Sequence, residues 1–260
     1  MHNLIIVTLT LLCCVAVASA RADFEDGIAA FQQGSYDTAF EEWRPLAEEG
    51  HIGAQIGLGL MYATGKGVLE DDVEAEKWYR LAAEQGNALA QYNLGVIYRN
   101  GRGVARDPVE GAKWYRLAAE QGVAAAQFNL GNMLYEEGEW VAENYVEAIR
   151  WYVEAAEQGL VVAQAALGSI NAGGVGVPKN YVTAYLWWSL ATAQGHKIAA
   201  KNLDILMSQM TMDEIAEGAR LVNNWGGGNR NKNLRLGGAF TKDPVPACSV
   251  RICYRFLPFT

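Results

Sequence analysis

The chain has 260 residues, of which 51% are hydrophobic and 19% charged, and its formal net charge is −8. This composition provides enough apolar side chains for a sizeable core and excludes a chain that is disordered throughout. The acidic balance also argues against a nucleic-acid-binding protein, because a phosphate backbone needs a cationic surface.

The N-terminal segment has the pattern of an export signal. A mostly apolar run from Leu4 to Val17 precedes Ala18-Ser19-Ala20, which matches an A-x-A cleavage site. The run is too short to span a bilayer comfortably. We therefore predict a signal peptide at 1–20, a periplasmic or secreted protein, and no transmembrane segment in the mature chain. Because no Lys or Arg precedes the run, an uncleaved anchor is the alternative.

The middle of the chain is repetitive. Glycines fix the phase of the repeat at intervals of 36, 36, 37 and 36 residues, namely Gly50, Gly86, Gly122, Gly159 and Gly195. Within each interval, two runs with apolar residues at helical spacing flank a loop, which in most intervals is rich in glycine. Each interval therefore predicts one αα-hairpin. So short a helix pair cannot bury its own apolar stripe, and the hairpins must stack into a solenoid.

The repeated residues carry a family resemblance. In the first full copy they are Gly50, Ala54, Gln55, Leu58, Gly59, Tyr62, Gly65, Gly67, Val68, Ala75, Trp78, Tyr79, Ala82 and Ala83. This pattern resembles the Sel-1-like repeat family, relatives of the tetratricopeptide repeats with a longer, glycine-rich loop. The resemblance implies an all-α, right-handed superhelix of αα-hairpins that binds a protein or peptide.

The predicted hairpins number six, within a repeat domain at 21–225. A first hairpin with a short loop comes before Gly50, and a last one ends in an amphipathic helix opened by the capping box Thr211-x-x-Glu214. We expect this last helix to act as the terminal cap of the solenoid. The eight helices between them are predicted near residues 51–63, 71–85, 87–99, 108–121, 123–136, 144–158, 160–171 and 180–194.

The C-terminal segment, residues 226–260, shows no repeat. Three glycines open it, and six basic residues against one acidic residue give it a net charge of +5, so the rest of the chain carries −13. We predict a flexible, basic, disordered tail. The tail holds Cys248 and Cys253, which could form a local disulfide in an oxidising compartment.

No pattern of catalytic or cofactor-binding residues emerges from the sequence. The Gly-x-Gly-Val loops lack the features of a phosphate-binding fingerprint, and turn formation is the better interpretation. The mature chain has only two histidines, His51 and His196, far apart and outside any metal-ligand motif. The recurring Trp-Tyr pairs could form a stacking platform, but burial between hairpins is favoured. We expect no catalytic residue, no metal and no cofactor.

A binding surface is the remaining candidate site. In the family the first helix of each hairpin lines the concave groove, and the outward positions of these helices vary between the copies. Several of them are apolar, and contiguous apolar patches mark interaction sites. The predicted groove residues are Ile56, Leu60, Tyr92, Asn93, Val96, Arg99, Phe128, Asn129, Asn132 and Tyr135.

The resulting hypothesis is an exported protein-interaction scaffold. The alternative is a cell-wall-associated or penicillin-hydrolysing enzyme of the branch of the family that carries a cysteine pair per repeat. This chain departs from that branch, because none of its repeats contains a cysteine. An acidic, chaperone-like assembly factor is a third class, for which the sequence offers only its charge.

Overall fold

A computed structural model of the chain describes residues 23–136 and 144–226. These residues form twelve α-helices and no strand. The helices are α1 (23–32), α2 (Tyr36–Glu48), α3 (Ile52–Thr64), α4 (Asp72–Glu84), α5 (Ala88–Asn100), α6 (Pro108–Glu120), α7 (Ala124–Glu136), α8 (Tyr145–Glu157), α9 (Val161–Gly173), α10 (Tyr181–Ala193), α11 (Lys197–Met207) and α12 (Met212–Gly226). The all-α prediction is confirmed. The predicted signal peptide and nearly all of the predicted tail lie outside the described residues.

The chain divides into two compact units after Val123. In the first unit, each helix from α2 to α6 packs against the next. In the second unit, α7 to α10 pack in the same consecutive manner, and α11 and α12 both lie against α10. The predicted bounds of the eight central helices are correct to within two residues.

Glycine loops join the two helices of three hairpins. Gly65, Gly101 and Gly174 end α3, α5 and α9 in the left-handed conformation, with φ of 64°, 71° and 76°. Only glycine adopts this conformation without a steric cost, and each cap N–H donates back to a carbonyl of the last turn. The interpretation of these loops as turns is confirmed.

The cores combine small residues from one helix with aromatic residues from the next. On the first helix of each hairpin, alanine and leucine are fully buried, as at Ala54, Leu58, Ala90 and Leu94. On the second helix the Trp-Tyr positions are buried except for the half-buried Trp114, and Tyr115 and Tyr152 are only 1% and 2% exposed. Burial of such large side chains removes a large apolar area from water and so stabilises the fold.

The capping box at the last helix forms as predicted. The Thr211 hydroxyl accepts a hydrogen bond from the Glu214 N–H at 3.3 Å, and the Thr211 N–H donates to the Glu214 carboxylate at 2.8 Å. The far end of α12 packs against α10, because the rings of Trp225 and Trp187 meet edge to face with centroids 5.2 Å apart. This helix therefore covers part of the aromatic surface of α10.

Candidate protein-binding surface

In the first unit, five of the predicted groove residues lie on the outward side of α3 and α5. We call this set the first-unit surface, and it consists of Ile56, Leu60, Tyr92, Val96 and Arg99. Leu60 is 40% exposed, and the other four are half-buried. Ile56 and Tyr92 share one position of the repeat, and Leu60 and Val96 share the position one turn further on. The two helices therefore present similar apolar rows to solvent.

The first-unit surface is almost uncharged. Helix α3 contains no charged residue, and α5 contains only Arg99. In contrast, six of the thirteen residues of α4 are charged. The charges of these hairpins therefore concentrate on the second helix, and the first helix offers an apolar and amide surface to a partner.

Tyr92 also contributes to packing. Its ring centroid lies 5.8 Å from that of the buried Tyr115 on α6. Ile56 packs in the same way against a buried cluster that includes Tyr79 and Leu94. The inner side of the first-unit surface is thus part of the core, and only its outer side is available to a ligand. Asn93, beside Tyr92, is half-buried.

In the second unit, three of the predicted residues on α7 converge on Tyr152 of α8. The ring of Phe128 lies 5.7 Å from that of Tyr152, and Tyr135 meets it edge to face at 6.1 Å. The Tyr152 hydroxyl donates a hydrogen bond of 2.7 Å to the Asn132 side-chain oxygen. Phe128, Asn132 and Tyr135, like the neighbouring Asn129, are half-buried, whereas Tyr152 is buried. They form a second polar–aromatic surface, which we describe separately from the first.

Helix glycines provide the space for these aromatic rings. A Cβ at Gly95 would lie 2.5 Å from the Tyr115 ring, and one at Gly59 or Gly131 would lie 2.9 Å from a tyrosine ring. Gly168 stands in the same relation to Trp188. The glycine of the repeated Leu-Gly pair therefore leaves the space that an aromatic side chain of the following helix occupies.

A row of buried glutamines is the main structural feature that the sequence analysis did not interpret. Gln55, Gln91, Gln127 and Gln164 are between 2% and 4% exposed. Each accepts a hydrogen bond of 2.7–2.9 Å from a second glutamine at the end of the following helix, namely Gln85, Gln121, Gln158 and Gln194 respectively.

The buried glutamines also donate hydrogen bonds to the preceding helix. Gln55 and Gln91 donate to the carbonyls of Ala47 and Ala83 at 3.1 and 3.2 Å. A buried amide must satisfy its polar atoms, so these bonds fix the position of α3 against α2 and of α5 against α4. The recurrence of Ala-Gln and Glu-Gln-Gly was the available sequence signal.

The two histidines have a structural role. His51 and His196 stand at the N-termini of α3 and α11, and their Nδ1 atoms accept from the N–H groups of Ala54 and Ala199 at 3.2 and 3.1 Å. Asn87 caps α5 in the same way.

Across residues 23–136 and 144–226, no cluster of His, Cys, Asp or Glu has the geometry of a metal site. The same residues contain no helix long and apolar enough to cross a membrane.

A comparison with known families identifies the repeat. Residues 52–87, 88–123, 124–160 and 161–196 each match the Sel1 repeat. The chain belongs to the Sel1 repeat family. The four matched repeats coincide with the hairpins α3–α4, α5–α6, α7–α8 and α9–α10 together with the turns that follow them.

Solved structures of Sel1 proteins share the fold. A protective antigen present in uropathogenic Escherichia coli strains, described as displaying an SLR fold, is similar with a TM-score of 0.70 and 34% identity. The match covers 79% of this chain and 45% of that one. A Sel1 repeat protein from Oxalobacter formigenes is similar with a TM-score of 0.66 and 31% identity, over 78% of this chain and 84% of that one.

Curated relatives match over a short stretch only. An exopolysaccharide production negative regulator of Rhizobium meliloti (strain 1021) is 46% identical over 56 residues, and one of Rhizobium leguminosarum bv. viciae is 45% identical over 56 residues. The chain spans about a fifth of the length of these relatives, since the match covers 21% of each. The aligned stretch is longer than one repeat and shorter than two.

Proposed function

We propose that this Sel1 protein is an exported interaction scaffold that binds a protein or peptide partner on the first helices of its hairpins. The observation that carries the proposal is the first-unit surface. It exposes apolar side chains on two first helices, α3 and α5, from which charge is nearly absent. Apolar side chains in adjacent positions lose unfavourable contact with water when a partner covers them.

The family supports a binding role rather than a catalytic one. Sel1 repeats generally mediate interactions between proteins, and their solenoids are typically scaffolds without enzymatic activity. In the first unit, the side chains on the outward side of α3 and α5 offer no paired acid and base.

The proposal of export is supported by the apolar run and the Ala18-Ser19-Ala20 site of the sequence. We assign the protein to the periplasm or the extracellular space on that basis.

A pair of matched charge substitutions tests the binding surface. Leu60→Asp places a carboxylate on the first-unit surface, whereas Val73→Asp places one on α4, where Val73 is 59% exposed. We expect Leu60→Asp to weaken capture of the partner from cell-envelope extract by about 2 kcal/mol or more. The control Val73→Asp should capture it as the wild type does. Circular dichroism should show both variants folded.

Equal capture by the wild type and the folded Leu60→Asp variant would move the binding site away from the first-unit surface. Hydrolysis of nitrocefin by the purified protein would contradict the proposal in a different way, because it would revive the penicillin-hydrolysing alternative.

A further inference from the structure

Helix α5 ends in an asparagine that is followed by the first glycine of the loop. Asn100 is the last residue of α5, its side chain is exposed, and Gly101 comes next. No other asparagine of the sequence precedes a glycine. At the same place in the repeat, α3 and α9 end in Thr64 and Gly173, which have no side-chain amide. The asparagine–glycine pair is therefore peculiar to the α5–α6 hairpin among these three.

An asparagine–glycine pair can lose ammonia without an enzyme. The Gly101 nitrogen, after giving its proton to a base, attacks Cγ of Asn100. The new N–Cγ bond closes a succinimide ring, the bond from Cγ to Nδ2 breaks, and Nδ2 takes up a proton and leaves as ammonia. Water then opens the ring at either carbonyl, which gives aspartate or isoaspartate. Glycine favours the attack, because it has no Cβ to obstruct it.

Backbone hydrogen bonds restrain this attack in the folded chain. The Gly101 N–H donates to the Ile97 carbonyl at 2.8 Å, and the Arg102 N–H donates to the same carbonyl at 3.1 Å. A nitrogen whose proton is held in a hydrogen bond is a poor nucleophile, and the helical backbone fixes its position relative to the side chain. The end of α5 must therefore open before Asn100 reacts.

Side chains of the loop oppose this opening. The Arg102 guanidinium pairs with the Asp72 carboxylate at 2.8 Å and donates to the Ala63 carbonyl at 3.4 Å. Nε of Arg106 donates to the Arg99 carbonyl at 3.0 Å. These contacts are exposed, and exposed ion pairs stabilise only modestly. The end of a helix can thus open locally while the rest of the unit stays folded.

We propose that Asn100 is a site of spontaneous deamidation, at a rate set by local opening of the loop after α5. Isoaspartate at this position adds a methylene group to the main chain and a negative charge to the side chain. The added group separates Gly101 and Arg102 from the Ile97 carbonyl, so the contacts of Arg102 with the preceding hairpin weaken. The inference goes beyond the proposed function, because this covalent change needs no partner.

The test follows the full chain during incubation at neutral to alkaline pH. Mass spectrometry of its peptides, with an isoaspartyl methyltransferase as the label, should show conversion at Asn100. The conversion should speed up as the pH rises, because the attacking nitrogen must lose its proton. Asn224 is the internal control, since it is also exposed but precedes a tryptophan. It should keep its amide over the same time.

Two substitutions at equivalent loop positions test the role of local opening. Arg102→Ala removes the contacts with the preceding hairpin and should speed up conversion of Asn100 several-fold. Lys66→Ala is the matched control, because Lys66 stands at the same place in the loop after α3 and lies over two aromatic rings of α1 and α2 instead. It should leave the rate at Asn100 unchanged. Circular dichroism should show both variants folded at the incubation temperature.

A peptide and a third variant complete the experiment. A synthetic peptide of residues 94–106 has no folded loop and should convert several-fold faster than the full chain. Asn100→Thr copies the residue of α3 and should give no isoaspartyl label in this segment.

Three results would overturn the inference. The first is a folded chain that keeps Asn100 intact while the peptide converts completely. The second is equal conversion at Asn100 and Asn224. The third is an equal rate in the wild type and the Arg102→Ala variant, because the loop would then not control the reaction.

Discussion

Gly95 shows how single residues set the spacing of the helices. It lies beneath the ring of Tyr115, where an added Cβ would be 2.5 Å from the ring carbon Cδ1. The buried ring has nowhere to move, since Tyr115 is 1% exposed. We expect Gly95→Ala to lower the free energy of unfolding by about 1–3 kcal/mol, measured by urea denaturation.

Gly173 is the control for this substitution. An added Cβ there would meet no atom closer than 3.9 Å, and its φ is not positive. Gly173→Ala at the end of α9 should therefore be neutral or stabilise by up to about 1 kcal/mol. Equal destabilisation by both substitutions would show that the cost at Gly95 does not come from a clash between the added Cβ and the Tyr115 ring.

Tyr79 gives the protein a defined response to alkaline pH. Burial raises its pKa to about 12, and the charge of Arg102 offsets only part of that effect. The unfolded chain loses this proton near pH 10, so the folded state retains it over a range in which the unfolded state does not. The contribution of Tyr79 is thus fully present below about pH 10 and is lost as the pH rises to about 12.

A Tyr79→Phe variant isolates this contribution. It keeps the ring over Gly59 but has no proton to lose. Its free energy of unfolding should fall less steeply than that of the wild type between about pH 10 and 12, with a difference of about 2–3 kcal/mol over the range. Parallel curves in urea titrations at several pH values would assign the alkaline instability to other groups.

Helix α9 lacks a cap that its counterparts have. The residues before α3, α5 and α11 are His51, Asn87 and His196, and each accepts a hydrogen bond from the first turn. Leu160 occupies the same place before α9 and offers no acceptor. Leu160→Asn should raise the free energy of unfolding by about 0.5–2 kcal/mol, measured by chemical denaturation. The reverse change, Asn87→Leu, should lower the free energy of unfolding. A fall in stability with Leu160→Asn would mean that the apolar contacts of Leu160 stabilise the fold more than a capping hydrogen bond would.

The order and bounds of the helices were predictable because many positions of the repeat act together. Small residues, aromatic pairs and glycine loops recur at one phase. A position that is ambiguous in one copy can therefore be assigned from the equivalent position of another copy. The glutamine row was not predicted, because glutamine is usually a surface residue and the hydrogen-bond partner of each buried glutamine lies 30 or 31 residues away.

The candidate surface was predictable only in part. The repeat phase predicted Ile56, Leu60 and Val96 as surface positions of the first helices; their side chains are half-buried or exposed, and their role in binding stays a prediction. It gave no sign that Tyr92 and Phe128 also touch buried tyrosines, because a contact between side chains on different helices depends on their packing distance. Replacing these two residues would therefore affect stability as well as any binding.

Export is a proposal about the whole molecule, and it has a direct test. The predicted signal peptide, residues 1–20, ends in Ala18-Ser19-Ala20. We expect N-terminal sequencing of the protein from the cell envelope or medium to begin at Arg21. Replacing Ala18 and Ala20 by bulky residues should block processing and retain the precursor. Soluble protein that still begins at Met1 would exclude cleavage.

The glutamine row also has a consequence for how such a chain can change its length. If residues 52–87 were removed as one block, Gln91 would face the carbonyl of Ala47, which Gln55 now bonds. His51 would then precede α5 in the place of Asn87, another residue that caps a first turn. Unequal recombination between these copies of the repeat in the gene would thus remove a whole hairpin while Ala47 and the first turn of α5 keep hydrogen-bond partners of the same kind. Within a helix, a deletion of another length would put these donors and acceptors out of phase, so inherited changes in the number of hairpins should come in whole repeats.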